Sequence, residues 1–302
     1  MDKKMPTWQQ RVWKWTGDFF YGIRPLLLYL LLPSAISALG LYIAGLRNHI
    51  RFFLWRSGQF YRTLGLLAVF FLLWRRCRSR GVSIWDETTF YWKPLHVRKL
   101  LLLLAAGAGL NLFMSAALTV IPFPEFLIGP YHSMTYKVFG AVDRGLAILS
   151  VMFLAPVVEE LIFRGYVLNR FLRRYENQRA AVLLCTAIFA VCHVTPLWVV
   201  YGFFMGLLMA HVSIIEDNII FAAALHMGYN MMTLPVWFAN ESEQVSSVLF
   251  ASPVLIAVYG IIGISVAVLC LRNYPLDIRA LGEYFFAVER KGREKDESLE
   301  SR

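Results

Sequence analysis

Long uncharged runs punctuated by clusters of charge set the pattern of this chain. Uncharged stretches of 22, 25, 23 and 28 residues lie between Arg24 and Arg47, Lys99 and Glu125, Asp217 and Glu241, and Glu243 and Arg272. A helix that crosses a bilayer needs about 20 apolar residues, so each run predicts one span. The 36 uncharged residues 180–215 exceed one helix. Thr195-Pro196 divides them, because a proline biases its predecessor away from helix, and two spans are expected there. Residues 63–74 offer 12 uncharged positions, which predicts a short, tilted or re-entrant helix. Residues 145–169 are long enough to span but carry three charges. The expected fold is all-α: a polytopic membrane helix bundle of about seven to eight transmembrane helices.

Composition agrees. Side chains are 58% hydrophobic and 17% charged, where a soluble domain has about a quarter charged. The net charge of +10 does not indicate nucleic acid as a partner, because the basic residues punctuate apolar runs instead of riding on a polar fold. They bear on orientation. Residues 169–179 carry Arg170, Arg173, Arg174 and Arg179, and 97–99 is also basic, whereas 240–244 is acidic and 122–133 has no Lys or Arg. Short cytoplasmic loops collect Lys and Arg. Alternating the spans from Leu100 onward therefore places 169–179 and the C-terminus in the cytoplasm. The front half is ambiguous, since Arg47, Arg51, Arg56 and Arg62 compete with Arg75, Arg76, Arg78 and Arg80 across 63–74.

The chain divides by pattern into three parts. Residues 1–99 begin with a basic-aromatic segment of interfacial character, up to about residue 23, and contain one or two membrane helices. Residues 100–271 form the main bundle, and 272–302 a charged tail. No cleavable signal peptide is expected, because the first apolar run begins late, at Pro25, and is too long. The compact chain with short loops leads to the expectation of a bacterial plasma membrane. Cys77, Cys185, Cys192 and Cys270 show no CxxC spacing and are read as packing residues.

Polar groups at membrane depth are costly and so are functional candidates by default. Glu159, Glu160 and Arg164 fall together in one run. Glu160 and Arg164 share a helix face at i,i+4 and can pair; Glu159 points about 100° away and is left without that partner. Alone, this could be an ion pair that only locks two helices. Two further pairs reduce that reading: Phe189 with His193, and His226 with Asn230, each four apart on its own span. His211 has no partner at helical spacing and is read as structural.

These residues resemble the CAAX prenyl protease 2 and bacteriocin-processing (CPBP, or Abi) family of intramembrane endopeptidases. That family's pattern is Glu-Glu-x-x-x-Arg, Phe-x-x-x-His and His-x-x-x-Asn or Asp on successive helices. Here Glu159, Glu160 and Arg164, then Phe189 and His193, then His226 and Asn230 stand in that order, with Ala155-Pro156 ahead and Gly202 and Gly206 between. The resemblance runs over roughly residues 100–271. It implies a CAAX-protease-like glutamic endopeptidase without a cofactor. Glu159 is then the general base, His193 helps to position and activate water, and His226 with Asn230 holds the oxyanion. Glu160, Arg164 and Phe189 support them.

Two other membrane protease types lack their residues here: there is no His-Glu-x-x-His and no Gly-x-Gly-Asp. Glu159, His193 and His226 could instead hold a zinc ion with a water in the open position. A transporter or proton relay, or a non-catalytic immunity protein, are the non-enzyme alternatives; the chain shows no duplicated halves, and all seven motif residues are present. The implied partners are the lipid bilayer and a peptide or membrane-protein substrate, prenylated or otherwise lipidated in some members of the family.

Overall fold

The computed structural model describes residues 8–46, 58–91, 95–139, 144–175 and 177–274, and every regular element in them is helical. In chain order these are α1 (Trp8–Leu46), α2 (Gly58–Ser79), the single turn α3 (Ile84–Glu87), α4 (Val97–Val120), α5 (Glu125–Phe139), a continuous rod α6 (144–174), α7 (Gln178–Val191), α8 (Pro196–Glu216), α9 (Ile219–Glu241), α10 (Glu243–Leu249) and α11 (Pro253–Asn273). Five helices are long and apolar enough to cross a membrane: Trp13–Ile43 within α1, Val97–Val120, Pro196–Glu216, Ile219–Ala239 and Pro253–Asn273. The protein is a polytopic helical membrane protein. A count of seven to eight also requires α2, α6 and α7. Those three fall short by this measure: α2 has a short apolar section, α6 carries three charges within 145–169, and α7 has only 14 residues.

The N-terminal aromatic segment is no separate element from Trp8 onward. It forms the first turns of α1, which continues through Pro25 and Pro33 for 39 residues. The charged tail beyond residue 274, and residues 1–7, lie outside the described residues.

Small side chains set the tightest seams. Gly107 of α4 lies against the backbone of Leu225 and Tyr229 in α9, where no Cβ would fit, and Gly109 of α4 meets Gly263 of α11 in the same way. Apolar burial gives no drive between helices in lipid, so close backbone approach of this kind is a main source of association. α4 is thereby clamped between α9 and α11.

Polar contacts gather at one end of the bundle. Lys99 of α4 pairs with Glu216 of α8 at 2.7 Å, and the Tyr274 hydroxyl donates to the same carboxylate at 2.6 Å. Asn218 Nδ2 donates to the Tyr91 carbonyl at 2.8 Å, Arg174 stands 3.3 Å from Asp18, and Arg170 and Arg173 flank Glu87. Arg170, Arg173 and Arg174, in the last turns of α6, belong to this end, which is called the basic end below.

α6 is not uniform. Leu149–Leu154 and Leu161–Leu168 are wide π-type stretches on either side of the α-helical Ala155–Glu160. The Ala155 N–H bonds to Ser150 O, five residues back. Pro156 accounts for the first stretch: it has no N–H to give and its ring crowds the carbonyl four residues earlier, so the preceding turn widens. Such stretches occur often at functional sites, and here they flank Glu159 and Glu160.

Candidate functional site

Glu160 and Arg164 form the buried base of the site, both with side-chain exposure of 1% or less. Arg164 Nη1 donates to Glu160 Oε1 at 2.8 Å, as the i,i+4 spacing predicts. Arg164 Nη2 donates to the Gly206 carbonyl of α8 at 2.9 Å. Its guanidinium carbon lies 4.4 Å from the centre of the Phe189 ring, a cation–π contact that ties α6 to α7. One arginine therefore holds three helices in register. Phe189 also meets Phe163 edge-on at 5.0 Å and the His193 ring at 4.8 Å.

His226 of α9 spans the two glutamates. Nδ1 lies 2.9 Å from Glu160 Oε1, and Nε2 lies 3.8 Å from Glu159 Oε2. A carboxylate that already pairs with Arg164 accepts, so Nδ1 carries a proton. With Nδ1 protonated, Nε2 can donate only when the ring is imidazolium; in the neutral ring Nε2 presents a lone pair.

The other residues expected at the site are close by. His193 lies just beyond α7, which ends at Val191, and its Nδ1 is 2.9 Å from the Phe189 carbonyl. The chain turns here, with Val194 at φ 66°, before Thr195-Pro196 opens α8. Asn230 Nδ2 donates to the Val151 carbonyl in the first wide stretch of α6 at 2.9 Å. Widening that turn frees a backbone carbonyl, and Asn230 takes it up.

Glu159 is not left without a partner. The hydroxyl of Tyr29 in α1 donates to its Oε1 at 2.6 Å. Nothing in the sequence signalled this contact: a tyrosine in an apolar run is unremarkable, and 130 positions separate the two residues.

Glu159, His193, His226 and Asn230 all line one cavity of about 490 Å³. Its wall is mainly apolar and aromatic, with Tyr131, Trp198, Tyr201 and Tyr229 among the contributors. Depth follows from helix rise. Counted at 1.5 Å per residue from the basic end, Met209 and His226 lie roughly 10 Å in, Trp198 roughly 27 Å and Leu118 roughly 30 Å. The lining thus runs from mid-depth toward the opposite end. Among the described residues no group of three His, Cys, Asp or Glu side chains is placed to hold a metal ion. Cys77, Cys185, Cys192 and Cys270 are free thiols. Cys77 and Cys185 are buried and hydrogen-bonded, to the Tyr166 hydroxyl and the Phe163 carbonyl, as packing residues are.

Residues 142–232 match the family model described as type II CAAX prenyl endopeptidase Rce1-like. The matched segment holds all seven motif residues, from Glu159 to Asn230. It is shorter than 100–271, leaving α1, α2, α4 and α11 outside. No curated protein and no solved structure matches the chain.

Proposed function

We propose that this chain, whose segment 142–232 matches the type II CAAX prenyl endopeptidase model, is an intramembrane protease of that type and hydrolyses a peptide bond of a membrane-associated substrate with water activated by Glu159. The observation that carries this reading is the division of labour between adjacent glutamates. Glu160 is fully buried and committed to Arg164 and His226, whereas Glu159 faces the cavity. A carboxylate on the wall of a largely apolar cavity is placed to take a proton from water and pass it to the leaving amine.

The chemistry then runs as follows. Glu159 removes a proton from water, and the hydroxide oxygen bonds to the scissile carbonyl carbon. Charge develops on the carbonyl oxygen, where donors have their effect. Asn230 has a second N–H on the amide that holds Val151 O. His226 lines the same cavity, and its Nε2 can donate there when the ring carries both protons. The C–N bond breaks as Glu159 returns its proton to nitrogen. His193, on the same wall, lies where it can orient the water. Arg164, through Glu160, fixes the helix that presents Glu159.

The test is a comparison of peptide termini in membranes that contain the wild-type protein or Glu159→Gln at equal abundance. New termini that depend on Glu159 are the expected result. Identical termini in both would remove the peptidase reading.

A further inference from the structure

At the basic end, where α1 meets the end of α6, guanidinium groups outnumber carboxylates. Three guanidinium carbons surround the ring of Tyr21 in α1: Arg170 at 4.9 Å, Arg174 at 5.0 Å and Arg24 at 5.7 Å from its centre. Arg76 of α2 also acts electrostatically on Arg170. Two carboxylates answer them. Asp18 stands 3.3 Å from Arg174, and Glu87, at 3.9 and 3.8 Å, is shared loosely between Arg170 and Arg173. Among the described residues no carboxylate pairs with Arg24. Arg170, although buried, leaves its Nε without an acceptor.

Two ordinary effects explain part of this. Cations suit the C-terminal end of a helix, which serves Arg173 and Arg174, and a tyrosine ring attracts a guanidinium. Neither supplies an anion: a ring face neutralises no charge, and like charges gathered on it repel. The corner is short of negative charge.

The surface beside Arg24 tells which anion fits. The apolar run of α1 begins at Pro25, so Arg24 stands where hydrocarbon meets headgroup. Phe20, Arg24, Leu27 and Leu31 fall at i, i+4, i+7 and i+11 and so share one helix face. That face is open: Phe20 is 60%, Leu27 46% and Leu31 67% exposed, and Arg24 is exposed as well. Leu27 and Leu31 lie roughly 4.5 and 10 Å deeper than Arg24 at 1.5 Å per residue. Exposed Trp13 and Trp15 mark the headgroup side. A cation at the head of an apolar stripe matches a molecule with a phosphate at one end and an acyl chain at the other. Free phosphate would use the cation and leave the stripe idle.

We propose that Arg24 and Arg174, at the Tyr21 ring, bind the phosphate of one anionic phospholipid whose acyl chain lies along Leu27 and Leu31. Guanidinium forks hold a phosphate through parallel charge-assisted hydrogen bonds. Arg174, 49% exposed, has donors beyond the one that faces Asp18. One lipid thus bridges α1 to the end of α6. A zwitterionic headgroup brings its own cation to a corner already rich in arginine, whereas an anionic headgroup relieves the surplus. The site stands apart from the peptidase reading, since these residues lie outside the cavity lining and no step of hydrolysis uses them. It braces the same helices all the same: Tyr29 of α1, about 7.5 Å deeper than Arg24, holds Glu159 of α6.

The experiment titrates full-length protein in a neutral detergent with dioleoyl phosphatidylglycerol, dioleoyl phosphatidylcholine or sodium phosphate. Native mass spectrometry counts retained lipid, and a thermal midpoint is read in parallel. Wild type should retain one phosphatidylglycerol in preference to phosphatidylcholine, and its midpoint should rise with phosphatidylglycerol alone. Arg24→Gln should weaken retention by about 10- to 100-fold, the range for a hydrogen bond between charged groups. Arg24→Lys should weaken it less, since an ammonium keeps the charge without the fork. Arg98→Gln, exposed at the same end on α4 and outside the corner, should change it by less than about fivefold, the size of a general surface-charge effect. Arg24 has no carboxylate to strand, so the lipid-free midpoint of Arg24→Gln should stay within about 2 °C of wild type; if it falls further, the comparison of Arg24→Lys with wild type carries the test. Equal retention of the two lipids overturns the proposal. So do equal losses for Arg24→Gln and Arg98→Gln, which would mean a diffuse basic surface. A midpoint rise with sodium phosphate as large as that with phosphatidylglycerol overturns it too, in favour of free phosphate.

Discussion

The Tyr29 hydroxyl donates a 2.6 Å hydrogen bond to Glu159 Oε1, joining α1 to the carboxylate at the centre of the site. The bond fixes one rotamer of a side chain that otherwise faces an open cavity. Tyr29→Phe removes the donor and little volume. The expected outcome is a fall in kcat of about tenfold with KM and thermal midpoint nearly unchanged, the loss of one neutral hydrogen bond at a reacting group. A Phe variant with wild-type kcat would show that Tyr29 only fills space.

Glu159 and Glu160 should separate on substitution. Glu159→Gln abolishes cleavage while the protein inserts and melts normally, because its contacts are one hydroxyl and one imidazole at 3.8 Å. Glu160→Gln strips the buried Arg164 of its counter-charge and should destabilise by about 3 to 5 kcal/mol. Thermal or denaturant unfolding in detergent measures the difference. The Glu160→Gln/Arg164→Met double variant should lose less than the sum of the single losses, since the two share one interaction. Equal midpoints for both glutamate variants would contradict the assignment of Glu160 to the supporting pair.

What the sequence made legible was whatever repeats at helical spacing. The Glu160–Arg164 pair formed as its i,i+4 spacing required, and the break at Thr195-Pro196 divides α7 from α8. His193 kept its link to Phe189 although the helix ends before it, because the turn after a helix still offers the carbonyl four residues back. What was illegible came from elsewhere in the chain or from departures from the regular helix. Tyr29 and Arg62 reach the cavity only because α1 and α2 pack beside α6, which no spacing reports. The first wide stretch of α6 follows from Pro156, but a proline in a span predicts a break or a kink equally well.

The roles of His226 and Asn230 can be told apart from those of metal ligands. As oxyanion donors, each should cost about 10²- to 10³-fold in rate when changed to Ala. As a ligand, His226 would use the lone pair of Nε2, and Asn230, an outer group, would cost only 10- to 100-fold. The expectation is that activity survives chelators and that the two variants are comparably slow. About one zinc per chain, lost with activity on chelation and restored by zinc, would replace the glutamate mechanism.

Sidedness is the last test, and it follows from depth. The arginines of 169–179 and the Lys99–Glu216–Tyr274 cluster mark one end of the bundle, and because short cytoplasmic loops collect Arg, that end is expected to face the cytoplasm. The cavity runs the other way, from His226 roughly 10 Å in to Leu118 roughly 30 Å in, so its mouth belongs to the opposite face or to the bilayer beside it. In a background with the four cysteines replaced, a cysteine at Asn177 should react with a membrane-impermeant thiol reagent only after the cytoplasmic face is opened. A cysteine at Thr135, on the cavity wall contributed by α5, should react in intact cells. Reaction at Asn177 in intact cells would invert the orientation. Reaction of both positions from the same side would mean that the cavity opens at the basic end, against the helix register of α4, α8 and α9.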